Sequence, residues 1–230
     1  MAKKSNDEND KKKRSKTPSL AKVIIPIIIL GMIAVGLGLY WVRSQSSEPQ
    51  ADTGTVFAKV SENPTQGSLS ARVVIDEFGD FQCPVCGMFH RQTYRNLDET
   101  YVKTGRVKLV FHPLNYIGSE SKFAAAAATC AQEQGHFWEY HDKLYESQNG
   151  ENNGAFRKEN LKNFAQELGL DTQAFNQCLD SGRYNQLIDR WTSEGQRRGV
   201  TGTPTFFING RKYPGFLTLD QLRQIIEALQ

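Results

Sequence analysis

The apolar positions of this chain follow three different patterns. Residues 23–42, VIIPIIILGMIAVGLGLYWV, run for twenty positions without a charge. As a helix rising about 1.5 Å per residue they would reach roughly 30 Å, the thickness of a bilayer's hydrocarbon core, which predicts one transmembrane helix. Residues 43–55, RSQSSEPQADTGT, are polar and read as a flexible tether. Beyond them, short β-branched runs give way to helical periodicity. Strands are expected at 56–60, 72–78 and 107–111, with a loop holding Asn63-Pro64 and Gly67 between the first two. From position 84 to about 104, Met88, Phe89, Tyr94, Leu97, Tyr101 and Val102 recur at helical spacing. The Ala-rich stretch 121–134 and the periodic stretches 137–147, 158–168, 172–181 and 184–198 predict five more helices. Residues 205–208 return to strand, Asn209-Gly210 signals a hairpin into 211–213, and 218–229 form a last amphipathic helix opened by a Thr218/Gln221 capping box. The order is an α/β sheet interrupted by a helical insertion.

Charge matters by location. The chain's net charge is only +3, but residues 1–22 hold eight Lys/Arg against three acids. The rest is therefore slightly acidic, which argues against nucleic-acid binding. A basic tail running into an apolar span places residue 1 in the cytoplasm and the residues after the span outside it. A cleaved signal peptide is the competing reading. Its apolar region is normally about 7–15 residues, shorter than this one, although the small residues at 44–47 leave cleavage open.

All four cysteines, Cys83, Cys86, Cys130 and Cys178, lie beyond the span, in a compartment where disulfides persist. Cys83 and Cys86 have C-x-x-C spacing at the start of a predicted helix. Unpaired N–H groups and the helix dipole there favour an anion, which lowers the pKa of Cys83 and makes it the nucleophile. Pro84 suits the first helical position. Cys86, one turn deeper, is placed to resolve a mixed disulfide. Zinc would need a second ligand pair, and none has the spacing. An inert structural disulfide is the other alternative.

The segment FGDFQCPVC, the segment GVTGTPTFFING about 120 residues later and the helical stretch CAQEQGHFWEYHDKLYE between them resemble the DsbA-like branch of the thioredoxin superfamily, in its membrane-tethered bacterial form. The resemblance implies a thioredoxin fold over residues 56–230 with a helical insertion at about 119–198. It implies that Thr203-Pro204 holds a cis-proline against the active-site disulfide, with Thr203, Pro204, Pro84 and Val85 contacting substrate. It also implies that Glu77 is a buried proton acceptor for Cys86. Strand alternation makes Asp76 the rival, since the two acids face opposite ways. Val85 departs from the His found there in the most oxidising members, which bears on redox poise.

Cys130 and Cys178 are expected to form a structural disulfide, worth about 4 kcal/mol for a loop of about 49 residues. A second redox pair is the alternative reading. His90 is expected to pack or to face solvent; His136 and His141, five apart, do not align on one helix face. Asp80 would oppose a Cys83 thiolate unless exposure weakened it. No cofactor or metal is expected. The implied function is a membrane-anchored thiol–disulfide oxidoreductase that donates the Cys83-Cys86 disulfide to reduced or unfolded exported proteins. A quinone-linked membrane partner, DsbB- or VKOR-like, would reoxidise it. A reductase or isomerase using the same site, and a non-enzymatic binding module, are the alternatives.

Overall fold

The structure, a computed structural model, describes residues 62–230. The basic tail, the expected span at 23–42, the tether and the strand expected at 56–60 lie outside the described residues. Among the described residues no helix is long and apolar enough to cross a membrane.

Among the described residues five strands form one sheet, ordered β1-β3-β2-β4-β5: β1 Thr65–Gly67, β2 Val73–Gly79, β3 Val107–Pro113, β4 Thr205–Ile208 and β5 Arg211–Pro214. β2 and β3 are parallel and every other pairing is antiparallel. A parallel neighbour demands a crossover, here the helix α1, which begins as Pro84–Phe89. It continues through a π-helical turn at His90–Tyr94, an α-helical turn at Arg95–Leu97 and a second π-helical turn at Asp98–Val102. Regular helical spacing does not anticipate these wider turns. Asn209 and Gly210, with φ of 44° and 82°, close the β4–β5 hairpin.

Strand alternation sorts the core. Val73, Ile75, Phe206 and Ile208 point to one face and pack with Phe89, Leu97 and Tyr101 of α1 and with Leu222 and Ile226 of the last helix, α7 (Leu219–Ala228). Phe78 and Phe207 point to the other face, with Leu114 and Val200. The capping box forms at the start of α7: the Thr218 hydroxyl accepts from the Gln221 N–H at 3.2 Å, and the Gln221 side chain accepts from the Thr218 N–H at 2.9 Å.

Between β3 and β4 the chain makes five helices: α2 Ser119–Glu133, α3 Phe137–Glu146, α4 Lys158–Glu167, α5 Thr172–Ser181 and α6 Asn185–Arg197. The alanines of α2 are buried, so neighbouring helices approach it closely, and Phe137, Tyr140, Phe156 and Phe175 fill the space around it. The same apolar cluster contains Cys83, Cys86, Phe81 and Phe111, so the insertion packs directly behind the C-x-x-C turn. Cys130 of α2 and Cys178 of α5 are bonded, with their Cα atoms 5.9 Å apart.

Candidate active site

β2 delivers the chain to the site, and a short loop carries it to α1. Cys83 is the N-cap of α1 and Pro84 its first residue, where a missing N–H costs nothing. The Cys83 sulfur accepts from the Cys86 N–H at 3.4 Å and, as a thiol, donates to the Thr203 carbonyl at 3.2 Å. The Thr203-Pro204 peptide bond is cis. Thus two segments 120 residues apart meet at one sulfur. Cys83 itself is only 5% exposed, but Pro84 and Val85 beside it are exposed, and Val85 is among the few large apolar side chains on the surface among the described residues.

The two thiols, both free, sit in contrasting electrostatic surroundings. The Cys86 thiol, the Thr203 side chain and the N–H groups of Cys86 and Val85 stabilise the Cys83 thiolate and outweigh its burial. Its pKa falls from 9.0 to about 6. Burial pushes the Cys86 thiol well above its ordinary value, and the Cys83 and Glu77 charges push the same way. Near pH 7 one sulfur is therefore the anion and its neighbour holds the proton.

Glu77 and Asp76 occupy opposite faces, as alternation requires. Glu77 is 2% exposed, on the face covered by α1; burial, then the Cys83 charge, raises its pKa to about 8. Asp76 faces the other way, where it accepts from the His112 ring at 2.8 Å and lies 3.7 Å from Arg198. Burial opposes its ionisation, but these partners hold its pKa below the usual value.

Asp80 corrects the sequence reading, which counted on exposure. It is fully buried, and its carboxylate accepts from the backbone N–H groups of Gln82 at 2.8 Å, Tyr116 at 2.8 Å and Ile117 at 3.1 Å, and from the Ser121 hydroxyl at 2.7 Å. Burial raises its pKa against those hydrogen bonds. Its four donors tie the loop before Cys83 to the start of α2. Gln148 was not singled out by the sequence at all. It lies just beyond α3, and its amide donates to the carbonyls of Phe81 at 2.7 Å and Cys83 at 3.0 Å. A glutamine in a polar loop carries no local signal of such a role; only the fold brings it there.

His90 is buried rather than exposed, and its partners come from another helix. His90 Nε2 and His141 Nδ1 each lie 2.9 Å from the same oxygen of Asp142. Among the described residues these three form the one group close enough to share a metal ion. The carboxylate oxygen already occupies the point where both rings converge. The far nitrogens, His90 Nδ1 and His141 Nε2, have no hydrogen-bond partner, whereas metal-bound imidazoles donate their second N–H to an acceptor. The cluster therefore fits a hydrogen-bonded clamp better than a metal centre.

Comparison with known proteins agrees with this geometry. A family model described as thioredoxin matches residues 59–228. Over 210 residues the chain is 29% identical to a probable disulfide bond formation protein D from Bacillus anthracis, covering 89% of this chain and 93% of that one. It is 33% identical over 165 residues to part of the Na(+)/H(+) antiporter NhaA 1 of Salinispora arenicola (strain CNS-205), covering 71% of this chain but spanning only 24% of that relative. Among solved structures, oxidised BdbD from Bacillus subtilis superposes with a TM-score of 0.68 at 24% identity, covering 73% of this chain and 92% of that one. The chain belongs to the thioredoxin family and is a DsbA-like thiol–disulfide oxidoreductase.

Proposed function

We propose that the protein works as an oxidant outside the cytoplasm, passing its Cys83-Cys86 disulfide to reduced exported proteins. A substrate thiolate attacks the Cys83 sulfur, forming a mixed disulfide and expelling Cys86 with the electron pair of the broken S–S bond. Glu77, neutral below about pH 8, supplies the proton that Cys86 needs. A second substrate thiolate then attacks the substrate's own sulfur in the mixed disulfide, and Cys83 leaves as a thiolate. The substrate departs oxidised and the site is left reduced. An extended substrate segment would pair along Thr203 and rest on Pro204, Pro84 and Val85. No cofactor enters, because the disulfide itself carries the two electrons.

The observation that carries this reading is the stabilised Cys83 thiolate. Whatever stabilises the reduced site makes its disulfide a stronger oxidant. A pKa of about 6 lies below the ~7 of thioredoxin and above the ~3.5 of the most oxidising DsbA. The Bacillus anthracis relative is named a probable disulfide bond formation protein, which supports the same direction. In this reading residues 23–42 anchor the chain with residue 1 in the cytoplasm. Residues 43–55 hold the catalytic domain beside the membrane, within reach of a quinone-linked, DsbB- or VKOR-like partner that takes the electrons onward.

Equilibration with glutathione at pH 7 tests the direction. A donor of disulfides is expected to show a reduction potential above about −200 mV. A value in the range of about −220 to −270 mV, where glutaredoxins and thioredoxin lie, would assign the site to reduction instead.

A further inference from the structure

Phe81, Gln82 and Cys83 lead the chain into the exchanging sulfur, and one segment of the insertion holds all of them. That segment, residues 148–152, follows α3. The Gln148 amide donates to the carbonyls of Phe81 at 2.7 Å and Cys83 at 3.0 Å. The Asn152 N–H donates to the Gln82 side chain at 2.6 Å, and that side chain donates back to Asn152 at 3.3 Å and to the Ser121 hydroxyl at 2.9 Å. The Cys83 carbonyl also opens α1, accepting from the Gly87 N–H at 3.0 Å. It thus has two donors, one from its own helix and one from 65 residues away.

Gly87 is an independent sign that Gln148 belongs there. Glycine weakens a helix relative to alanine, and the Gly87 backbone is helical, so its own conformation does not call for glycine. Space calls for it. A Cβ built on Gly87 would overlap the Gln148 side-chain oxygen and stand 2.7 Å from its amide carbon. Gln148 therefore fills the place a Cβ would take, in the first turn of the helix that Cys83 caps.

We propose that Gln148 is a positioning residue for the exchange reaction: by holding the Phe81 and Cys83 carbonyls it keeps the Val85 and Cys86 N–H groups on the Cys83 sulfur, and so sets how strongly the site oxidises. This rests on the exchange chemistry proposed above and deepens it. The direction of a carbonyl fixes the plane of the peptide that follows. With the Cys83 carbonyl held by Gln148 and Gly87, the Cys83-Pro84 peptide plane is fixed, and with it the start of α1. The Cys86 N–H then lies 3.4 Å from the sulfur, and the Val85 N–H bonds it as well. Those contacts stabilise a thiolate and gain little from a bonded, uncharged sulfur. They favour the reduced site, which makes the disulfide a stronger oxidant. The Val85 side chain offers no donor there; Gln148 acts from behind, through the backbone.

Gln148→Met keeps the length of the side chain and removes both donors. Gly87→Ala keeps Gln148 but puts a methyl where its amide sits, and alanine by itself favours the helix. The titratable groups coupled to the Cys83 charge are Glu77 on β2, Cys86 on α1 and Tyr145 on α3, and the Arg91 guanidinium flanks the Gly87 gap at 2.9 Å. Gln148→Met leaves all four in place. The measurements are the pH profile of Cys83 alkylation in the reduced protein and equilibration with glutathione at pH 7. Each variant is expected to raise the alkylation midpoint by about threefold to tenfold in proton concentration. The disulfide should gain on the dithiol by about threefold to fivefold, a potential lower by about 15–20 mV. Because both substitutions break one contact, the double variant should shift no further than either alone. Midpoints and potentials like the parent's, with only stability to urea reduced, would make Gln148 structural and overturn the proposal. A double variant showing the sum of two shifts would overturn it too, by separating Gly87 from Gln148. A parent midpoint near 9 would instead reject the exchange reading itself.

Discussion

The two cysteine pairs are the same chemical element in opposite surroundings. Cys130 and Cys178 lie within α2 and α5, both 1% exposed, and join two helices whose apolar faces already meet. Both sit well inside their helices, away from the free N–H groups of the first turn, and a bonded sulfur carries no charge to stabilise. Cys83 stands where a helix begins, with N–H donors and a thiol aimed at its sulfur and an exposed Pro84-Val85 edge beside it. Reactivity therefore depends on position along a helix more than on burial, since Cys83 is itself nearly covered.

Substitution should separate the two pairs clearly. Cys83→Ser is expected to abolish dithiol exchange, a loss of at least about a thousandfold in the oxidation rate of a reduced model peptide. Removal of the other pair in Cys130→Ser/Cys178→Ser should leave that rate within about twofold while lowering the unfolding free energy by about 2–5 kcal/mol in urea titration. A rate loss comparable to that of Cys83→Ser would merge the two roles and end the distinction between the pairs.

Glu77 belongs to the reactive pair alone, and its removal should be felt there next. Glu77→Gln should slow the release of Cys86 by about tenfold to a hundredfold at pH 7. The parent's rate of that step should fall as pH rises through about 8, where Glu77 loses its proton, and the variant should lack this break. The sign for stability runs the same way: the folded pKa is raised from 4.5, so neutral Glu77 supports the fold fully below 4.5. That support declines as pH rises towards and through about 8. Cys83 has the opposite sign. Its lowered pKa stabilises the reduced fold above 9.0, and the contribution is lost as pH falls through about 6. The least change is expected of Val85→His, which adds a donor beside the sulfur. Its Cys83 alkylation midpoint should drop below the parent's by less than a tenfold change in proton concentration.

Much of this was legible in the sequence, because local patterns carried it. β-branched runs marked β2 and β3, Asn209-Gly210 marked the β4–β5 turn, and helical periodicity marked the insertion helices to within a residue or two. The cysteine spacing pointed to Cys83 and Cys86, and the resemblance of the segment around Pro204 to the DsbA-like branch implied the cis-proline beside them. The features that stayed hidden depend on distant partners. β1 is three residues of Thr, Gln and Gly, and it becomes a strand only because β3 offers an edge to pair with. Asp80 looks like a solvated loop acid, and its burial is set by backbone N–H groups 36 and 37 residues away. His90 meets Asp142 across 52 residues, so spacing along one helix could not reveal the cluster.

Everything proposed for this site turns on the charge of one sulfur. Alkylation of the reduced protein with iodoacetamide as a function of pH, read at Cys83 by mass spectrometry of the modified peptide, measures that charge. A midpoint near pH 6 is predicted; a midpoint near 9, that of an ordinary thiol, would contradict the exchange mechanism.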